Sequence, residues 1–195
     1  MKILHIDTSI SGEASVSRLL SAEATACLLR LHPQAQIAYR DLASDPIPHL
    51  DGNENSGCSS SLQVDADARV LEEFLEADVT VIGVAFYNLS IPSQLKAWID
   101  RIVVSGRTFQ YGADGVEGLA GGKRVILLIA RGGVYRDGIS LAPTEHAEAY
   151  LKSIFAFIGV ADIEVIAAEG LALGEVARAL AISTALEEVH ALGAE

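Results

Sequence analysis

The sequence predicts an α/β fold: a three-layer sandwich whose five-stranded parallel sheet runs in the order 2-1-3-4-5, with helices on both faces. Three observations predict it. Short β-branched runs alternate with amphipathic stretches along the whole chain, without repeats or a break in composition, the pattern of strands joined by crossover helices. The central run Val79-Thr80-Val81-Ile82-Gly83-Val84-Ala85 is apolar almost throughout and too short to span a membrane, as befits a parallel strand covered on both faces. Five such runs with right-handed crossovers fit the doubly wound order 2-1-3-4-5, whose switch point lies between the first and third strands. A chain of 195 residues is then read as a single domain, 1–195, with a sizeable core.

Each element has its own signal. Residues 3–7 form the first strand, followed by a polar turn. Residues 9–17 are rich in hydroxyls and open a helix, in which Val16, Leu19, Leu20, Ala24, Cys27, Leu28 and Leu31 keep the helical period until Pro33 stops it. Residues 36–42 form a second strand, more polar and therefore nearer an edge. Residues 51–61, which include Cys58, hold Gly, Asn and Ser and almost nothing apolar, and read as a loop. Residues 62–76 form a helix with Ala66, Val70, Leu71, Phe74 and Leu75 inward. The central run is the third strand. After it, Pro92 suits the first helical position, where its missing N–H costs nothing. Leu95, Trp98, Ile99, Ile102 and Val103 give the helix that follows an apolar face. Residues 106–122 are a Gly-rich excursion around an extended piece, Thr108-Phe109-Gln110-Tyr111. Residues 124–130 form the fourth strand and run into Arg131-Gly132-Gly133. A helix over 144–159, with Ala147, Tyr150, Leu151, Ile154, Phe155 and Ile158 apolar, a fifth strand over 163–168 and a last helix over 174–192 complete the chain.

The bulk chemistry excludes several classes of partner. A formal charge of −12 argues against nucleic acid and anionic membranes, which reward Lys and Arg. The two cysteines, Cys27 and Cys58, have no metal-ligand spacing and suggest no disulfide framework; no metal is expected. Cys27 falls on a helical stripe and is expected in the core. The start of the chain has neither leader nor anchor, so the cytoplasm is the expected location. No Gly-x-Gly-x-x-Gly follows the first strand, and Gly118-Leu119-Ala120-Gly121-Gly122-Lys123 fails as a P-loop: Glu117 stands at its first glycine position and Arg124 at its Ser/Thr. His5, in a strand, is expected to be a satisfied core residue.

Three loops carry non-generic sequences at strand carboxyl ends, where open α/β sheets bind ligands. In the first, Ser15-Val16-Ser17 lies at a helix start, where free N–H groups and the helix dipole favour an anion. These serines could simply cap the helix. Beside the other two loops, a phosphate is the better reading, and the absence of lysine points to a monophosphate. In the third, Phe86-Tyr87-Asn88-Leu89, an aromatic followed by an amide can stack on a flat ring and bond its edge; equally, Tyr87 could be a core aromatic and Asn88 a turn residue. In the fourth, Gly132 and Gly133 allow close backbone approach, and Arg131 would add a fixed positive charge useful to an anionic reduced ring; equally, this could be a glycine turn with a solvated arginine.

On these residues the chain resembles the FMN-dependent NADH azoreductases, also described as quinone reductases, of the flavodoxin-like group. The resemblance covers nearly the whole chain. It rests on Ser9 with Ser15-Val16-Ser17, on Phe86-Tyr87-Asn88-Leu89 with Pro92 and Gln94-Leu95-Lys96, and on Thr108-Phe109-Gln110-Tyr111 with Gly118-Leu119. Arg131-Gly132-Gly133 and Phe157-Ile158-Gly159 complete it. It implies non-covalent FMN, with Ser9, Ser15, Val16 and Ser17 on the phosphate, Phe86, Tyr87, Asn88 and Leu89 along the ring, and Ala130, Arg131, Gly132 and Gly133 at its polar edge. It implies NADH or NADPH as co-substrate, a quinone or azo acceptor reduced in ping-pong order, and a homodimer with its active site at the subunit interface. Asn88 and the backbone of 131–133 are the flavin-tuning candidates, and no residue is singled out as an obligatory acid. The chain departs from the family at Phe86, where Met is common, at Leu89, where an aromatic is common, and at Ala130, where Ser is common. Val16 and Tyr135 stand where polar residues are frequent. The alternative is a flavodoxin-like electron carrier without a small-molecule substrate, for which an acidic surface would suit a basic redox partner.

Overall fold

A computed structural model describes residues 1–50, 61–113, 115–136, 138 and 140–192, with side chains from 68 onward in the second helix. In chain order the elements are β1 (Lys2–Asp7), α1 (Val16–Leu31), β2 (Gln36–Asp41), α2 (Ser61–Glu76), β3 (Val79–Ala85), α3 (Ser93–Ile102), β4 (Phe109–Gly112), β5 (Gly115–Gly118), β6 (Arg124–Ala130), α4 (Ala147–Phe157), β7 (Asp162–Ala168) and α5 (Glu175–Ala191). Short 3-10 turns at Gly12–Ala14 and Ala142–Thr144 precede α1 and α4. The main sheet is parallel in the order β2-β1-β3-β6-β7, which is the predicted 2-1-3-4-5. The loop expected over 51–61, with Cys58, lies outside the described residues up to Ser61, which begins α2.

Side chains alternate between two cores, as the pleat requires. Leu4, Ile6, Ile82, Val84, Val125, Leu127 and Ile129 face α2, α3 and α4. Ile3, Val79, Val81, Ile126 and Leu128 face α1 and α5. Trp98 and Phe74 meet edge to face with centroids 5.8 Å apart, and Phe155 lies 6.3 Å from Phe74. Each such fully buried side chain contributes about 1.5–3 kcal/mol. The β2 edge is mostly exposed, as its polarity predicted.

Several local readings change. Leu19 and Leu31 are 46% and 47% exposed; the seam of α1 runs through Val16, Leu20, Ala24, Cys27 and Leu28, and a helix buries only a stripe of about 100°. Pro92 is the N-cap of α3 and not its first helical residue; its carbonyl accepts from the Leu95 and Lys96 amides at 3.0 and 3.1 Å. The extended piece around Phe109 is one arm of an antiparallel hairpin, β4–β5. That hairpin lies so close to the end of α4 that a Cβ on Gly118 would fall 2.2 Å from the Gly159 nitrogen. His5 is buried against Tyr39; among the described residues its Nε2 has no hydrogen-bond partner, the nearest carboxylate being Asp7 Oδ1 at 3.6 Å.

Among the described residues no helix is long and apolar enough to cross a membrane. One feature of β3 places the site. A Cβ on Gly83 would fall within 2.9 Å of Asp7 Oδ1, the Ser17 carbonyl and Ser21 Oγ. The missing side chain lets the first turn of α1 settle directly on the central strand, at the switch point.

Candidate functional site

The first loop is fixed from below. Thr8 Oγ1 donates to the Gly83 carbonyl at 2.8 Å and accepts from the Ala85 amide at 3.1 Å, pinning it to β3. Ser15 caps α1, its Oγ accepting from the Arg18 amide at 3.4 Å and lying 3.1 Å from Ser17 Oγ. The amides of Val16 and Ser17 make no hydrogen bond among the described residues. They are the free donors of a helix start, aimed where an anion is stabilised.

Arg18 braces this loop and does not enter it. Its guanidinium donates to the Ser9 carbonyl at 3.2 and 2.8 Å, to Asp41 Oδ1 at 2.6 Å and to Tyr39 Oη at 3.3 Å. The Arg18 hydrogen bond is the main reason the Asp41 carboxyl is held down at about 2. Burial and the neighbouring Asp7 push the Tyr39 phenol up to about 12.

The third loop is a tight two-residue turn. The Tyr87 and Ser90 amides and carbonyls exchange two hydrogen bonds of 3.0 Å. Between them Asn88 has φ +49° and Leu89 has φ +72°, the positive pair that a type I′ turn requires. Asn tolerates this region; a branched apolar residue stores strain of order 1–3 kcal/mol. Asn88 and Leu89 are exposed, while the Phe86 amide extends the sheet by donating to the Ala130 carbonyl at 3.2 Å.

The fourth loop corrects one expectation. The Arg131 guanidinium is buried and lies 2.8 Å from Glu148, 3.1 Å from Glu145 and 3.1 Å from Glu169. Burial alone would lower its pKa; Glu148, Glu145 and Glu169 outweigh it and leave the pKa raised. A cation held by these carboxylates offers no net positive charge to a ligand. It packs behind Phe86 instead, 5.8 Å from the ring, which also meets Tyr135 at 4.8 Å. The backbone of this loop is better placed for recognition. The carbonyls of Arg131, Gly132 and Gly133 accept from Leu171, Ala172 and Gly170, whereas the amides of Gly132 and Gly133 have no partner among the described residues.

Ser9, Ser15, Val16, Ser17, Phe86, Tyr87 and Ala130 line one crevice at the carboxyl end of the sheet. Asn88, Leu89, Arg131, Gly132 and Gly133 belong to the adjoining turns and are not in its wall. Sequence reasoning missed Ser11, Ala14, Ala85, Leu171 and Arg178, which complete the wall. Arg178 had left a signal: it is the one Lys or Arg between 171 and 192. Elsewhere, Glu23, Cys27 and His190 bring metal-ligand atoms within 4.8 Å of one another. The Arg30 guanidinium already sits among them, 3.0 Å from Glu23 and 2.8 Å from Cys27 Sγ, so the group is an ion-pair tie between α1 and α5.

Hydroxyls and free amides at a helix start, an aromatic wall and an adjoining glycine loop with free N–H groups define a doubly wound α/β protein with an open crevice at its switch point. The chain matches the family described as Flavodoxin-like fold over residues 1–192 and belongs to it. An FMN-dependent NADH:quinone oxidoreductase of Methylorubrum populi is 50% identical over 202 residues, covering all of both chains. That of Gluconobacter oxydans is also 50% identical, covering 98% of this chain and all of its own. Among solved structures, an azoreductase of Bacillus anthracis str. Sterne superposes with a TM-score of 0.87 at 30% identity, over 99% of this chain and 98% of its own. An FMN-dependent NADH-azoreductase of Bacillus anthracis str. Ames Ancestor, in complex with FMN, gives 0.87 at 25% identity, over 99% and 97%.

Proposed function

We propose that this chain is an FMN-dependent oxidoreductase that takes a hydride from NADH and delivers two electrons to a quinone or an aromatic azo compound. The observation that carries this reading is the meeting of the first and third loops with the end of β6 at Ala130 in one crevice, in a chain half identical to FMN-dependent NADH:quinone oxidoreductases over its full length.

FMN, when bound, supplies the redox chemistry, and the protein supplies position and electrostatics. Ser9, Ser15 and Ser17 with the amides of Val16 and Ser17 hold the phosphate. Phe86 and Tyr87 wall the ring, and Ala130 lies beside Phe86 at the end of β6. The free amides of Gly132 and Gly133 donate to the polar edge of the ring, the place where reduction builds negative charge. Arg131 keeps Phe86 in position from behind. Asn88 sets the turn that presents Tyr87; it is retained as a tuning residue, with Asn88→Ala as its test. No side chain need act as an obligatory acid, because solvent can protonate the product.

A homodimer whose partner completes the site, and a cytoplasmic location, belong to the same reading. The exposed Tyr111 and Val116 on the β4–β5 hairpin support it as a contact surface. The electron-carrier alternative predicts slow, unsaturable reduction by NADH. The deciding experiment is an anaerobic half-reaction of the FMN-loaded protein with NADH and, separately, NADPH. Rapid bleaching of the flavin followed by reoxidation with a quinone supports the enzyme; no bleaching with either nucleotide leaves the carrier.

A further inference from the structure

Arg178 stands within the first turn of α5 (Glu175–Ala191), where the helix dipole favours an acidic side chain and disfavours a cation. It is partly buried and lines the crevice with Ser9, Ser15 and Ser17. Its guanidinium has no hydrogen-bond or ion-pair partner among the described residues. The nearby cation of the first loop, Arg18, is committed to Asp41 and the Ser9 carbonyl, and Arg131 is committed to three glutamates. Val16 offers no polar side chain at the helix start. A phosphomonoester carries about −1.5 to −2 charges near neutral pH. Hydroxyls, two amides and a helix end of roughly +0.5 charge balance only part of that, in a chain whose net charge of −12 opposes it further.

Resting on the flavin reading, we propose that Arg178 is the cation that clamps the FMN phosphate, reaching from α5 across to the first turn of α1. Its planar fork can give two parallel N–H···O bonds to the phosphate oxygens, which a point charge cannot. The residue thereby selects the phosphorylated flavin over riboflavin, and it supplies the charge that the serines lack.

The test uses the flavin-stripped full-length chain, titrated with FMN and with riboflavin by quenching of flavin fluorescence, for wild type, Arg178→Ala and Arg178→Lys. The expected result is an FMN Kd raised about ten- to a hundredfold in Arg178→Ala with riboflavin affinity unchanged and partial recovery in Arg178→Lys. The wild-type advantage for FMN should also shrink as salt is raised from low to high ionic strength. An unchanged FMN Kd in Arg178→Ala overturns the proposal, as does an equal loss for FMN and riboflavin, which would mark a merely structural residue. A wild-type chain that binds neither flavin overturns the flavin reading itself.

Discussion

The Tyr87 hydroxyl accepts a hydrogen bond from the Ile10 amide at 3.2 Å and lies 3.4 Å from Ser9 Oγ. A side chain of the third loop is therefore clasped to the backbone of the first, which ties the two turns together. Tyr87→Phe keeps the ring and removes the clasp. The expected outcome is an FMN Kd raised about three- to tenfold with little change in the urea midpoint. Flavin fluorescence quenching and chemical denaturation measure the two separately.

Leu89 holds φ +72° and is 40% exposed, so it keeps strain without burying much surface. Leu89→Gly should relieve that strain and raise stability by about 0.5–1 kcal/mol, after the entropy glycine adds to the unfolded chain. Asn88→Ala, forced into φ +49°, should lower stability by about 1 kcal/mol. Urea denaturation followed by circular dichroism checks both. Stopped-flow reduction by NADH then tells whether the strained turn also serves the chemistry; unchanged FMN affinity and hydride transfer in Asn88→Ala would remove its tuning role.

Arg131→Met leaves Glu145, Glu148 and Glu169 facing one another with their shared cation gone. Stability should fall by about 3–5 kcal/mol at neutral pH. Repulsion raises carboxylate pKa values in the variant, so part of the loss should return on acidification toward pH 5. Adding Glu148→Gln should recover part of it at pH 7. Thermal denaturation across that pH range is the measurement.

Asp41 has a folded pKa of about 2, chiefly because Arg18 hydrogen-bonds its carboxylate, against about 3.9 in an unfolded chain. A depressed carboxyl contributes stability that is complete above pH ~4 and is lost as pH falls through about 2. Asp41→Asn should therefore cost about 1–2 kcal/mol at neutral pH, and the wild-type and variant stabilities should converge in strong acid. Because Arg18 also holds the Ser9 carbonyl, the same variant should weaken FMN binding before it unfolds the chain.

The sheet order, the buried central strand and the three loops were legible in the sequence because they are local or periodic. Strands and helices write their burial into residue spacing, and a serine-capped helix start is visible in three consecutive residues. Those signals determined the architecture and the neighbourhood of the site. Charge placement was not legible in that way. Arg131, read as a fixed positive charge beside the site, proved to be neutralised behind Phe86, whereas Arg178, not singled out in the sequence, lines the crevice. The difference is physical: where a guanidinium goes depends on the direction of a long side chain and on carboxylates contributed by remote segments, here 145, 148 and 169. Packing of α5 against α1 brings Arg178 to the crevice beside Ser9, Ser15 and Ser17, and no spacing within the chain encodes that. The sequence by itself determined the fold and the three turns; the tertiary structure alone decided which arginine lines the crevice.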